Sequence, residues 1–363
     1  MSFPGEIPDF FEGRKAKMKA YNLHGIGNLQ FENVILPVSE GRKVLVHTRA
    51  AGICGSDIPR VYETGTYHFP TIIGHEFSGE VADVCVDALP EDAAWIGKRV
   101  GVFPLIPCME CEQCRKGHYE MCEHYSYLGS RENGGMAAFV WVPVWNLIEL
   151  PDNVSYEQAA MLEPMGVAVH AIRRCLPEAV SVSPDASMTS SGDLSGVPSR
   201  DRNLSIAVCG MGTIGHLVSM FLKVFGYQNV TELRRGDIPE ENTFDVFFDC
   251  VGSLEVVLEG INSLAPGGRL QLIGNPGGDM NLPKDIYWKI LRKQLTLTGS
   301  WNSSFTHEDS DDWHVVLELL SKGRIHPENY ISHRFPMEDG SLLEGFELMR
   351  TKREPYVKVM GEW

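Results

Sequence analysis

The sequence predicts a two-lobed α/β fold, in which a β-rich first half is followed by a lobe built on a parallel sheet. Three observations carry this. Between Lys43 and Leu150, runs rich in Val, Ile and aromatic residues are punctuated by Gly and Pro. From Leu204 onward, short apolar runs alternate with helical patterns, the signature of βαβ units. Finally, Gly210-Met211-Gly212-Thr213-Ile214-Gly215 stands where one such run gives way to a helix. A chain of 363 residues is long enough for more than one domain.

In chain order, strands are expected within Lys43 to Ile53, Glu76 to Val86, Arg99 to Ile106 and Met136 to Leu150. Ser155 and Gln158 have the form of a capping box, and Ala159, Ala160, Leu162, Val167 and His170 then recur at helical spacing, so a helix opens at Ser155. In the second half, strands are expected at Ser205 to Cys209, Asn229 to Leu233, Phe244 to Cys250 and Arg269 to Ile273. Helices fill Gly210 to about Phe225 and start again at Ser253. The stretch 178–203, with Ser181, Ser183, Ser187, Ser190, Ser191, Ser195 and Ser199, can bury little and reads as a surface insertion. The expected division is a first domain over 1–165, completed by 300–363, and a second over 166–299.

Composition excludes several classes. With 43% hydrophobic and 22% charged residues the chain is an ordinary globular one. A formal net charge of -16 repels nucleic acid and anionic lipid, so neither is an expected partner, and an anionic ligand needs a local cationic pocket. The longest apolar candidate for a membrane span, Ala137 to Ile148, is short and interrupted by Pro143 and Asn146, and the opening residues lack a signal-peptide pattern. A cytoplasmic location is the expectation, and there the nine cysteines stay reduced.

Four of those cysteines crowd together. Cys108, Cys111 and Cys114, each separated by two residues, with Cys122 eight positions on, supply four thiolates in one loop. Tetrahedral zinc accepts that set, which makes a closed structural site. A second constellation is dispersed: Cys54 in Gly52-Ile53-Cys54-Gly55-Ser56-Asp57, His75 in Gly74-His75-Glu76, and Glu163 in Leu162-Glu163-Pro164. A thiolate, an imidazole and a carboxylate from separate segments leave a zinc position open, as catalytic sites do. Two zinc ions per chain are therefore expected.

The glycine loop points to a dinucleotide. Gly210, Gly212, Thr213, Ile214 and Gly215 let the backbone approach a pyrophosphate at a helix N-terminus. Where an acidic residue normally meets the ribose, about 20 positions on, this chain has Arg234 and Arg235, which suit a 2′-phosphate; the cofactor is NAD or NADP, with a lean to NADP. Only ten residues, Arg234 to Thr243, precede the strand ending at Asp249. They are too few for a further helix, strand and helix, so the parallel sheet is expected to be truncated. Val251, Gly252, Ile273 and Gly274 follow strand ends and are expected at the nicotinamide pocket.

Together these motifs resemble those of the zinc-dependent medium-chain alcohol dehydrogenases, in particular the polyol branch. The resemblance implies a GroES-like catalytic domain beside a Rossmann-type domain. It implies catalytic zinc on Cys54, His75 and Glu163, with Glu76 able to replace or complete the coordination, Asp57 orienting His75, and Ser56 carrying the alcohol proton. The segments Cys54 to Arg60, Gly129 to Gly135, Ile290 to Lys293 and Gly299 to Trp301 resemble the polyol-phosphate dehydrogenases most. This implies a galactitol-1-phosphate-like substrate, with Arg60 and Arg131 as phosphate ligands, and a homodimer or homotetramer. Two alternatives stand beside it: an unphosphorylated polyol such as sorbitol, or a non-catalytic zinc protein with a degraded cofactor lobe.

Overall fold

The computed structural model describes residues 16–177 and 203–363. All but the last residue of the Ser-rich stretch 178–203 lies outside them. The chain divides into two compact units. The first comprises residues up to Glu112, Cys122–Glu163 and Ile331–Trp363; the second comprises Pro164–Tyr330 with the short segment Gln113–Met121.

In the first unit, a seven-stranded sheet is organised around the strand Lys43–Ile53. That strand pairs antiparallel with Glu76–Val84, Phe139–Pro143 and Lys358–Glu362. Its residues are buried on both faces, as suits a strand covered from two sides. Val44, Val46, Ala51 and Ile53 pack with Phe77, Val81, Val140, Val359 and Phe346 in one apolar core. A three-stranded sheet of Lys17–Leu23, Leu29–Ile35 and Thr71–Ile72 contributes Tyr21 and Leu23 to that core.

The second unit is a five-stranded parallel sheet. Its strand order is Val230–Leu233, Ile206–Cys209, Phe244–Asp249, Leu264–Leu272 and Thr296–Gly299. As expected, no strand intervenes between Val230–Leu233 and Phe244 among the described residues; residues 234–243 cross as turns and coil to Phe244. Those ten residues are used up in reaching Phe244–Asp249 and cannot also place a further strand beside Val230–Leu233, which stays at the edge.

The helix expected at Ser155 is two helices. Tyr156–Ala160 opens with the expected capping box, Gln158 N donating to Ser155 Oγ at 3.2 Å and Ser155 N to Gln158 Oε1 at 2.9 Å. After Met161, Leu162–Cys175 continues as a second helix. Residues 300–330, expected with the first domain, group with the second unit. The buried Asp312 takes hydrogen bonds from Arg173 Nη1 at 2.8 Å and pairs with His170 Nδ1 at 2.8 Å. Trp313 donates to Ser303 Oγ at 3.0 Å and fills the space beside Gly166. These buried polar contacts tie the segment to the helix Leu162–Cys175 of the second unit.

Candidate metal centre and cofactor loop

Strand register builds the first site. Gly52 is paired with Glu76 across antiparallel strands, so Cys54, just past the end of one strand, and His75, just before the start of the other, are neighbours. One ligand atom each from Cys54, His75 and Glu76 lies within 4.8 Å of the others. Ser56 Oγ is 3.2 Å from Cys54 Sγ. Gly74 and Gly134 hold the approach from behind: a Cβ on Gly134 would strike the Gly74 carbonyl, so the turn Gly129–Gly135 packs backbone to backbone against the segment leading to His75.

Asp57 is fully buried beneath the ring of His75, Oδ1 lying 3.4 Å from Nδ1. Its carboxylate also accepts the Cys54 backbone N–H at 3.0 Å and pairs with Arg60. Burial pushes the Asp57 carboxyl up, but His75, Arg60 and the Cys54 N–H outweigh it and hold it at about 2. Burial likewise opposes charging of His75, yet Asp57 and Cys54 together raise it well above its ordinary value. Asp57 faces Nδ1, which leaves the second ring nitrogen for a metal, the arrangement by which carboxylates orient metal-bound imidazoles.

Glu163 stands outside the group of three. Its Oε1 accepts the Tyr127 hydroxyl at 3.3 Å, and the Tyr127 ring meets His75 edge-on at 5.7 Å. Burial lifts the Glu163 carboxyl to about 7, against the pull of His75. Glu76 is instead paired with the buried Lys358, whose Nζ also donates to Ile53 O at 3.0 Å. That pair fills the space a side chain at Gly52 would need. Cys54, His75 and Glu76, with the buried carboxylate of Glu163 nearby behind Tyr127, offer donors of mixed softness that suit zinc. With Glu76 held by Lys358, Glu163 is the carboxylate that forms no ion pair among the described residues.

One expectation changes. Arg60, expected at the substrate, is engaged by Asp57 and shares its Oδ1 with His75, so its charge is already compensated. Tyr127 and Lys358 went unread in the sequence. A lysine inside the apolar strand Lys358–Glu362 was the only signal for the latter.

The four-cysteine loop is assembled. Ligand atoms of Cys108, Cys111, Cys114 and Cys122 all lie within 4.8 Å of one another. Cys108 N points at Cys122 Sγ at 3.3 Å and Cys111 N at Cys108 Sγ at 3.4 Å. The 4.0 Å between Cys111 Sγ and Cys122 Sγ is far longer than a disulfide bond. Because metal binding at a closed site is folding free energy, Cys111→Ser should lower the midpoint of thermal unfolding strongly and leave one zinc per chain. Metal analysis and melts in parallel check this; an unchanged melt with one zinc lost would refute the structural role.

In the second unit, parallel register aligns Cys209 with Asp249 and Asp249 with Leu272. Gly210, Val251, Gly252, Ile273 and Gly274 therefore leave the sheet side by side at the carboxyl ends of the strands. Gly210 has φ +96°, and a Cβ there would collide with Val251. Asp249 Oδ1 accepts Val251 N at 2.8 Å and Gly252 N at 2.9 Å, while its carbonyl accepts Ile273 N and Gly274 N. Gly212 caps the helix Thr213–Val224, whose first N–H groups, from Thr213, Ile214 and Gly215, face the loop. Arg234 and Arg235 are exposed in the turn after Val230–Leu233, Arg234 N donating to Asp237 Oδ2 at 2.7 Å. The acid preceding them, Glu232, is occupied by Ser219 Oγ at 2.6 Å and Lys223 Nζ at 2.9 Å.

Comparison with known families agrees with this geometry. Residues 40–152 match the alcohol dehydrogenase GroES-like domain, and residues 225–322 match the zinc-binding dehydrogenase domain. The chain belongs to the zinc-dependent alcohol dehydrogenases. Among relatives of this family, it is 28% identical over 341 residues to galactitol 1-phosphate 5-dehydrogenase of Escherichia coli, covering 85% of this chain and 89% of that protein. It is also 28% identical over 362 residues to L-idonate 5-dehydrogenase of Vitis vinifera, with 90% and 89% covered. The crystal structure of Escherichia coli galactitol-1-phosphate dehydrogenase superposes with a TM-score of 0.79 at 24% identity, over 95% of this chain and all of that one. A zinc-binding dehydrogenase from Sinorhizobium meliloti bound to NADP gives 0.77 at 22%, over 96% of this chain and 100% of its own. At these identities the structural likeness establishes the fold: a GroES-like domain and a Rossmann-type domain.

Proposed function

We propose that the protein oxidises a secondary alcohol of a polyol or polyol phosphate, reversibly, with two zinc ions per chain and NAD or NADP. The observation that carries this is the convergence of Cys54, Ser56, His75 and Glu76 at one end of the central strand of the first unit, with Glu163 held by Tyr127, whose ring meets His75. Zinc held by Cys54, His75 and Glu163 would act as a Lewis acid toward the alcohol oxygen. Ser56, beside the Cys54 sulfur, is placed to accept the alcohol proton. Asp57 and Arg60 fix the tautomer and orientation of His75 from below. Tyr127 holds Glu163 in place by its hydroxyl, and Lys358 keeps Glu76 in reserve. In the second unit, the Gly210–Gly215 loop takes the pyrophosphate, and Val251, Gly252, Ile273 and Gly274 edge the nicotinamide.

The substrate class is tested by following nicotinamide reduction with galactitol 1-phosphate, L-idonate and sorbitol. Turnover of none of them, by protein with its full zinc complement, would reject the polyol reading. For the cofactor, Arg234 leans to the 2′-phosphate because Glu232 is already engaged and no carboxylate pairs with the Arg234 guanidinium among the described residues. A charge-assisted contact of about 1.5–3 kcal/mol means that Arg234→Ala should weaken NADPH about tenfold or more and barely affect NADH. Nicotinamide fluorescence titrations check it; equal loss for both cofactors places Arg234 outside the ribose pocket.

Self-association is part of the same proposal. Tyr287, Trp288 and Leu291 are exposed on the helix Lys284–Lys293, and Leu297 and Trp301 are exposed on or just after the edge strand Thr296–Gly299. Such a patch beside an open sheet edge favours a homo-oligomer. No helix among the described residues is long and apolar enough to cross a membrane.

A further inference from the structure

We infer that Arg131, packed against two tyrosine rings, is the subsite that takes the anionic end of the substrate; this rests on the polyol dehydrogenase reading above. The guanidinium carbon lies 4.1 Å from the ring centre of Tyr67 and 4.6 Å from that of Tyr125. Nη2 donates to the Tyr67 hydroxyl at 3.1 Å, and the backbone carbonyl of Arg131 meets His68 Nε2 at 3.2 Å. Arg131 N donates to Tyr127 O at 2.9 Å. Side chain and main chain are thus both fixed before any ligand arrives, which removes much of the ordering cost of binding.

The packing also decides what the group can bind. Two tyrosine rings lie against the guanidinium, Nη2 already donates to the Tyr67 hydroxyl and Nε is buried, so the Nη1 edge is left to receive an oxygen of a phosphate monoester or a carboxylate. Its charge is uncompensated: among the described residues no carboxylate pairs with Arg131, Nη1 has no partner, and Nε is buried without one. Arg60, the other arginine of this region, is already engaged by Asp57. In a chain of net charge -16, an open guanidinium edge held by aromatic rings is the local cationic pocket that an anionic substrate requires.

Position connects this edge to the chemistry. The Tyr125 ring meets the Tyr127 ring at 6.2 Å, and Tyr127 meets His75 at 5.7 Å while its hydroxyl donates to Glu163. An aromatic wall therefore runs from the metal-binding residues to Arg131. A sugar alcohol lying along it would present one hydroxyl to the metal-binding residues and its charged end to the guanidinium edge. Phosphate monoester and carboxylate share this chemistry, and the test separates them.

The experiment is isothermal titration of the zinc-loaded full chain with galactitol 1-phosphate, L-idonate and galactitol, in parent, Arg131→Met and Tyr67→Ala proteins. Arg131→Met keeps the stem and removes the fork; Tyr67→Ala acts from an exposed position and leaves the arginine in place. For the anion that occupies the subsite, the affinity ratio over galactitol should fall about 10- to 100-fold in Arg131→Met, and less but in the same direction in Tyr67→Ala. The loss should appear in KM for that substrate. The anion whose ratio moves, phosphorylated or carboxylated, is the occupant. An unchanged ratio in Arg131→Met, or a parent protein that binds neither anion better than galactitol, overturns the inference. Since binding is read without turnover, a subsite that responds in a protein that oxidises no polyol would sink the dehydrogenase reading alone.

Discussion

Cys54→Ala should lower kcat/KM by on the order of 10³ or more while the protein still melts within a few degrees of the parent, because the lost interaction acts on the reacting oxygen and not on the core. The structural ground is local. Cys54 stands just beyond the last paired residue of Lys43–Ile53, half-buried, and its sulfur faces Ser56 and His75 rather than the apolar cluster. The strand itself is held by Val44, Val46, Ala51 and Ile53 and by three antiparallel partners, none of which the substitution touches. Metal analysis should find one zinc where the parent has two, the remaining ion belonging to the cysteine loop 108–122. A Cys54→Ala protein that keeps more than about a tenth of its activity would sink the assignment, as would one that melts far below Cys111→Ser.

How much of this was legible depended on whether spacing or register carried the information. The cysteine loop was readable because its four ligands are neighbours in sequence and one metal geometry explains their spacing. The missing strand was readable for a similar reason, since the ten residues from Arg234 to Thr243 cannot hold a further helix, strand and helix. The loop Gly210–Gly215 was fixed by its place between a strand and a helix. By contrast, the partners of Glu76 and Asp57 depend on tertiary pairing. Lys358 reaches Glu76 only because Val359 is paired with Ile53 and Glu76 with Gly52, two registers that no local pattern specifies. Arg60 looked available for substrate because its charge is visible in the sequence and its consumption by Asp57 is not, although the two lie three positions apart on a helical turn. The domain boundary at residue 330 rather than 299 has the same origin: it is set by Asp312 and Trp313 meeting His170, Arg173 and Gly166.

Lys358→Met should cost about 3–5 kcal/mol of stability, the loss expected when one member of a buried ion pair is removed and its partner charge is left behind. Lys358 is 1% and Glu76 2% exposed, so water cannot replace the missing ammonium. The lysine also satisfies Ile53 O, which would lose its donor from this side chain in the same step. The sign of the second substitution separates an ion pair from simple packing. Lys358→Met/Glu76→Gln removes the stranded charge and should recover more than half of the loss, although it contains more changes than the single variant. Metal content gives a further discriminating measurement. Glu76 belongs to the group with Cys54 and His75, so a Glu76 released from Lys358 has a second cation available when zinc is present. The Lys358→Met deficit should therefore be smaller in zinc-loaded protein than after chelation, whereas the double variant should show little such dependence. Denaturant titrations of the four proteins, with and without chelator, measure all of these differences. A Lys358→Met protein as stable as the parent, or a double variant no better than the single one, would mean that Glu76 is not held by Lys358 in solution, and Glu76 would then be free to take the coordination position assigned here to Glu163.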